Sequence, residues 1–279
     1  MRAAAVQLNS TQYKERNLAA ADRQTRDAAA DGATLVVLPE KFNVLGDPEV
    51  LEAGAETLGG PTLGWARETA RELRIDLVAG SIVERREGHA KLANTSVHVG
   101  PDGGVRGVYR KIHMFDVIVG GTEYRESETE QPGEEIVTSE ARDARLGLTV
   151  CYDLRFPELY RILAVQGARV LTVPAAFTRE TGEAGHWDTL LRARAIENQA
   201  FVVAAGQIGH APPAYDSYGR SQIVGPWGDV LARAEDEGER ECFVAADLDL
   251  AHQDEVRASL PSLANRMPAT YRWPETIGA

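Results

Sequence analysis

Short apolar runs recur along the chain, and each stops before it is long enough for a helix. They are Arg2–Leu8 (RAAAVQL), Thr34–Leu38 (TLVVL), Leu77–Val83, Leu146–Val150 (LGLTV), Val170–Val173 and Phe201–Ala205. Runs of about four to eight residues bounded by Pro, Gly or polar residues predict buried strands. Between them stand segments with helical spacing. These are Asn17–Ala30, stopped by Asp31-Gly32, then Thr62–Arg74, Phe156–Gln166, His186–Gln199 and a last one near Leu250–Leu260. Phe156–Gln166 has Pro157 in its first turn and Gly167 beyond its end, the order that helices favour. Thr95–Val99 and Val105–Tyr109 flank Pro101-Asp102-Gly103-Gly104, a hairpin turn, and Ser221–Leu248 reads as mostly strand around Trp227-Gly228-Asp229. Residues 112–135 look irregular and acidic, which in a compact domain suggests a functional loop or lid. The order opens βαβ, carries two hairpin-like regions and shows no linker or repeat. It predicts one α/β domain over residues 1–279, with a mixed sheet or a pair of sheets and a Pro- and aromatic-rich tail.

With 279 residues and 43% hydrophobic content, such a domain buries a large core without a disulfide or metal staple. The net charge of −12, with no cluster of Lys and Arg, argues against nucleic acid and against an anionic membrane surface. It leaves a small anionic substrate open, because one local arginine outweighs a diffuse field. Two cysteines, Cys151 and Cys242, are too few for a secreted disulfide framework. No stretch approaches ~18 apolar residues, and the amino terminus turns polar too soon for a signal-peptide core. The expectation is a reduced, cytoplasmic setting. The six histidines show no paired ligand spacing, and there is no P-loop or GxGxxG, so neither metal nor cofactor is expected. Gly219–Ile223 (GRSQI) resembles a serine-hydrolase elbow but has Ile223 where the second glycine is required.

Three residues stand out by position. Cys151 follows LGLTV and shortly precedes a helix, a corner that exposes a nucleophile beside backbone N–H groups. Taken alone it reads more readily as a small buried hydrophobe. Glu40 follows LVVLP, and a carboxylate at the end of a buried strand is costly unless partnered or functional. Its other reading is a cap or loop acid. Lys111 is one of only four lysines in a chain that otherwise uses arginine. By itself it reads as a solvated lysine.

Together the segments say more. LPEKF around Glu40, YRKIHMFD around Lys111 and VCYDLRFPELYR around Cys151 resemble the three signature segments of the nitrilase superfamily, in that family's order. TGEAGHWDTLLRARAIENQAFVVAAGQ and SYGRSQIVGPWGDVLA agree as well, so the resemblance covers nearly the whole chain. It implies a four-layer αββα sandwich and an amidase that works without a cofactor. It implies Cys151 as nucleophile, Glu40 as general base and Lys111 as stabiliser of the tetrahedral intermediate. The backbone N–H of Tyr152 is a candidate second donor to that intermediate. A thiolate suits a poor electrophile such as an amide, and a thioester would follow. Glu126, in YRES, matches a second glutamate that holds the lysine or orients substrate. Its other reading is a surface acid beside Glu123, Glu128 and Glu130.

YDLRFPE resembles the branches that act on small carboxylate-bearing amides, the omega-amidases and deaminated glutathione amidases. Arg155 is then a candidate carboxylate grip, or else an ion-pair partner of Asp153 or Glu158. Tyr152 and Phe177 are candidate pocket residues, or core aromatics. HWDTLLRARAIENQ looks closest to the deaminated-glutathione branch. TGEAGHW, however, carries one residue more than that branch's TGxAHW, and SYGRS stands where it has SYGHS. An N-carbamoyl-amide hydrolase is the main rival, and a catalytically silent binding protein on the same fold is another. Family members pair through helices flanking the site. A homodimer or larger even oligomer is therefore expected, with HWDTLLRARAIENQ and the tail from about residue 260 at the interface.

Overall fold

The structure, a computed structural model, describes residues 1–211, 215–235 and 240–272. Its first strand, β1 (Arg2–Gln7), shows why RAAAVQL is continuously apolar. Ala3 and Ala5 face a second sheet, while Ala4 and Val6 face helices. A strand buried on both faces does not alternate apolar with polar. The chain continues through α1 (Lys14–Ala30), β2 (Leu35–Val37), α2 (Pro48–Gly54), α3 (Pro61–Leu73), β3 (Asp76–Val78), β4 (Ile82–Glu84), β5 (Ala93–Val99) and β6 (Val105–Arg110). A hairpin, β7 (Asp116–Val119) and β8 (Thr122–Arg125), leads into the short α4 (Glu126–Thr129) and β9 (Thr138–Glu140). Then come β10 (Arg145–Leu148), α5 (Pro157–Val165), β11 (Val170–Ala175), α6 (Arg179–Glu183), α7 (His186–Asn198) and β12 (Phe201–Gly206). A second hairpin, β13 (Ile208–Ala211) and β14 (Tyr215–Tyr218), precedes β15 (Gln222–Val224), β16 (Val230–Arg233), β17 (Cys242–Asp247) and α8 (Leu250–Ser259).

Two sheets hold most of these strands. The first runs β17-β1-β2-β3-β5-β4, with β6 also on β5, and the second runs β16-β15-β12-β11-β10-β9. In the first, β1, β2 and β3 are parallel; in the second, β10, β11 and β12 are parallel. The inner faces meet in one core, where Ala3, Ala5, Leu35, Val37 and Val78 oppose Leu146, Leu148, Val150 and Val203. The outer face of the first sheet takes Ala21 and Ala28 of α1 and Leu63, Ala66 and Ala70 of α3. On the second sheet lie Leu159, Tyr160 and Leu163 of α5 and Trp187, Leu191 and Ala195 of α7. The order of layers is helix, sheet, sheet, helix, as the resemblance implied. Small residues permit the close approach of the two sheets: a Cβ on Gly107 of β6 would lie 2.9 Å from Ser139 of β9.

The structure differs from the sequence expectation in three places. Residues 112–135 are not irregular throughout but form the β7–β8 hairpin and α4. Both strands are exposed or half-buried throughout, so they lack the apolar pattern of a buried strand. Leu77–Val83 is two strands, broken where Gly80 sits at φ +32°. Ser221–Leu248 contributes to both sheets, since β17 leaves the second and pairs antiparallel with β1. Of the tail, residues 273–279 lie outside the described residues. Among the described residues, no helix is long and apolar enough to cross a membrane.

Gly80 matters beyond its own turn. A Cβ there would stand 1.9 Å from the carbonyl oxygen of Pro39 and 2.6 Å from that of Leu38, the residues leading into Glu40. Backbone cannot give way as a flexible side chain can. Gly80→Ala is therefore expected to lower unfolding free energy by about 2 kcal/mol or more, read from the urea midpoint, and to displace Glu40.

Candidate active site

Glu40, Lys111 and Cys151 follow β2, β6 and β10, and Ala176 and Gln207 follow β11 and β12. Ligands of α/β sheets bind at the carboxyl ends of parallel strands, and four of these five residues lie just beyond such ends. The residues converge from both sheets. Lys111 Nζ lies 3.2 Å from Glu40 Oε1, and 2.9 and 2.7 Å from the two oxygens of Glu126. Asn94 of β5 donates to Glu40 Oε1 at 2.8 Å and to Glu126 Oε1 at 3.2 Å. The backbone N–H of Ala176 donates to Glu40 Oε2 at 2.7 Å, and Gln207 Nε2 donates to the Glu40 carbonyl at 2.9 Å. Both the side chain and the backbone of Glu40, a residue of the first sheet, are thus held by the second.

Cys151 is buried beside the Glu40 carboxylate, which acts on its thiol electrostatically. Its φ of +47° is a left-handed conformation rare for a residue with a Cβ, and such strain costs about 1–3 kcal/mol. Asp153 supports it. This buried carboxylate accepts from Val150 N at 2.8 Å, Tyr109 Oη at 2.7 Å and the His113 ring nitrogen at 2.7 Å. Tyr109 and His113 bracket Lys111, and Val150 precedes Cys151. Asp153 therefore ties the lysine segment to the cysteine corner. His113 also stacks on Phe156, with ring centres 3.5 Å apart, which makes it structural.

The electrostatics follow from burial. Burial opposes the Lys111 ammonium, but Glu126 and then Glu40 more than offset it, and the group is held charged well above the usual lysine range. Desolvation pushes the largely covered Glu126 carboxyl up, but Lys111 and Lys41 more than offset this and hold it below the usual range. The Cys151 thiol moves the other way. Burial, then the Glu40 carboxylate, raise it well above its ordinary value against the pull of Lys111. The resting nucleophile is therefore a thiol beside a base, and no standing thiolate.

A cavity of about 610 Å³ opens over these groups, lined by Glu40, Lys111, Glu126, Cys151, Phe115 and the hairpin residues Thr122–Arg125 among others. On the far side of Cys151 lies a narrow recess of about 10 Å³, room for one water, walled by Tyr152, Arg155, Phe177 and Thr181. Arg155 does not pair with Asp153 or Glu158. Its guanidinium lies 5.4 Å over the Phe177 ring and 3.2 Å from His186 Nδ1. Phe177 is buried against Trp187, and Tyr152 packs edge-on against Phe115 and Phe156. All seven candidate residues thus line the space around one sulfur. Glu126 is no surface acid, and neither is Glu130, which is buried against Lys41. The extra residue of TGEAGHW falls where Gly185, at φ +85°, links α6 to α7. Arg220, which stands where SYGHS has histidine, lies over the Tyr218 ring. Among the described residues no group of three or more His, Cys, Asp or Glu side chains is placed to hold a metal.

Sequence reasoning missed Asn94, Asp153, Lys41 and Glu130. Asn94 carried no distinct signal: it stands just before the expected strand Thr95–Val99, next to Thr95 and Ser96, and its burial shows only in the fold. Asp153 lies within the cysteine motif itself, and Lys41 is one of four lysines in the chain.

The carbon-nitrogen hydrolase pattern matches residues 2–258. The chain belongs to the carbon-nitrogen hydrolase family. It is 39% identical to the omega-amidase NIT2 of Homo sapiens over 271 residues, covering 97% of this chain and 96% of that one. Its fold superposes on the C. elegans NitFhit protein with TM-score 0.88 and 36% identity, over 97% of this chain and 66% of that longer one. Saccharomyces cerevisiae Nit3, a member of branch 10 of the nitrilase superfamily, gives TM-score 0.84 and 32% identity, with 94% of each chain covered. This carbon-nitrogen hydrolase is an amidase, cleaving the C–N bond of an amide.

A resting thiol beside a carboxylate predicts opposite effects of one substitution. Glu40→Gln removes the anion that disfavours the thiolate and leaves Lys111 in place. Alkylation of Cys151 by iodoacetamide at pH 7, mapped by peptide mass, is expected to accelerate. Amide hydrolysis by the same variant is expected to fall by about 10³.

Proposed function

We propose that this amidase acts on a small amide bearing a carboxylate, of the omega-amidase type, through Cys151, Glu40 and Lys111. The convergence of a thiol, a base and a buried ammonium on one cavity supports the reading, together with 39% identity to an omega-amidase. As the Cys151 sulfur attacks the amide carbon, its proton passes to Glu40. The carbonyl oxygen takes up the negative charge, which the Lys111 ammonium and the Tyr152 backbone N–H stabilise. Glu40 returns the proton to the amide nitrogen, the C–N bond breaks and ammonia leaves, giving a thioester on Cys151. Water then attacks the thioester carbon as Glu40 takes its proton; Glu40 passes that proton to the sulfur as the C–S bond breaks, and the carboxylic acid leaves with the thiol restored. Glu126 holds Lys111 through both steps.

Arg155 is the proposed carboxylate grip. It lines the one-water recess beside Cys151, which has to widen for a carboxylate to enter, and it is half-buried with its observed contacts on a ring face and a histidine. Neither partner neutralises it. Phe177 beneath it and Tyr152 alongside set the width of the recess. No cofactor enters any step.

The test is ammonia release from alpha-ketoglutaramate, deaminated glutathione, N-carbamoyl-beta-alanine and a simple nitrile, with Cys151→Ala alongside. Release from either of the first two, abolished in the variant, is expected. Carbon dioxide appearing with ammonia, and only from the carbamoyl compound, would overturn the substrate class. Arg155→Leu is expected to raise KM for a carboxylate-bearing amide by about a hundredfold, while leaving an uncharged amide within a few-fold.

We further propose a homodimer or larger even oligomer in a reducing, cytoplasmic setting, with both cysteines free. Ile162 and Val165 of α5, Ile196 of α7 and Leu260 after α8 are large apolar residues left 41–50% exposed. Arg161 lies within electrostatic reach of Glu197, Arg266 and Tyr271, which brings α5, α7 and the start of the tail to one face. Exposed apolar groups gathered in this way mark association surfaces. Light scattering is expected to give at least twice the 30.3 kDa chain mass, and Ile162→Asp with Val165→Asp to give the monomer.

A further inference from the structure

Five ionisable groups, four of them buried and Glu126 nearly so, form a row below the cavity: Glu40, Lys111, Glu126, Lys41 and Glu130. Their successive contacts are 3.2, 2.7, 3.5 and 2.5 Å, and their charges alternate. Lys111 is 2% exposed, Lys41 8% and Glu130 1%, so water screens the row poorly. Lys111 touches two carboxylates, and its single charge is more than matched before any substrate arrives. An ammonium so neutralised has little field left for a developing oxyanion.

Lys41 alters that balance. It directly follows Glu40, sits at φ +49°, and its backbone N–H is fixed by Ser81 Oγ at 2.9 Å. Its ammonium lies on Glu126 and on Glu130, and both Lys41 and Glu130 line the cavity. Glu130 takes one bond from Lys41 through Oε1, while its Oε2 is buried without a partner. The groups facing Glu130 are Lys41 from the segment after β2, Glu126 from α4 and Lys111 from the segment after β6. Burial is the strongest influence on Glu130. It outweighs Lys41 and, with repulsion from Glu126, raises the carboxyl above the usual range. Glu130 therefore cancels the Lys41 charge only in part.

We propose that Lys41 is a positioning residue for amide hydrolysis: by sharing the charge of Glu126, it leaves the charge of Lys111 available to the oxygen anion of the tetrahedral intermediate. The proposal rests on the roles given above to Glu40, Lys111 and Cys151. Removing Lys41 alone would strand Glu130 as an orphan buried acid, so the comparison is between Glu130→Gln and the double variant Lys41→Met/Glu130→Gln. Both lack the Glu130 charge, and they differ only in Lys41. Glu130→Gln is expected to keep kcat near that of the wild type. The double variant is expected to lose kcat by about tenfold or more with KM within about threefold, because the interaction strengthens only in the transition state. Lys41→Gln/Glu130→Gln, whose two amides can hydrogen-bond in place of the ion pair, guards against a folding defect and is judged at an unchanged thermal midpoint. Equal kcat in the single and double variants, with Cys151→Ala inactive, would overturn the role of Lys41 alone. Hydrolysis surviving in Cys151→Ala would instead overturn the reading on which it rests.

Discussion

An ammonium buried to 2% exposure, with two carboxylates on it, is the interaction around which this structure is organised. A charge placed so deep is tolerable only where opposite charges and hydrogen bonds meet it, and deleting one partner of a buried pair costs about 3–5 kcal/mol. The partners of Lys111 are distant in sequence. Glu40 is 71 residues before it and Glu126 is 15 after it, and Asn94 bridges the two acids. The chain therefore has to bring the ends of β2, β5 and β6 together before the charge is satisfied.

The second sheet completes the arrangement. It supplies Cys151 from the end of β10, the Ala176 N–H from β11 and the Gln207 amide from β12. Asp153 then fastens the cysteine corner to both sides of Lys111. The base and the nucleophile come from opposite sheets, so their separation is set by sheet-on-sheet packing and not by any loop. Where the sheets come closest, as at Gly107 against Ser139, a bulkier residue would push them apart and move Glu40 away from Cys151.

Much of this was legible in the sequence, for physical reasons. Parallel strands buried on both faces give the continuous runs TLVVL, LGLTV and VLTV, and the helices between them carry clear stops, so α/β could be read directly. That these strands divide into two sheets came only from the resemblance, since local periodicity carries no information about which strand pairs with which. Glu40, Lys111 and Cys151 were legible because each follows a strand end within a motif. Glu130 was not. It sits in a run of surface-looking acids, and only the β7–β8 hairpin and α4 turn it inward toward Lys41. Arg155 was left between two readings because the commitment of Asp153 to Tyr109, His113 and Val150 depends on tertiary contacts.

The return of β17 to the edge of β1 has a consequence for how the molecule comes into being. Arg2 pairs with Asp247 and Gln7 with Cys242, so β1 is completed by a strand that lies far downstream in the chain. During synthesis the central strands can assemble in order, but β1 keeps an open edge until about residue 247 has left the ribosome. An unpaired edge of buried apolar strand invites pairing with a neighbouring chain. A ribosome that stops short leaves a chain carrying every reacting side chain but an open β1 edge.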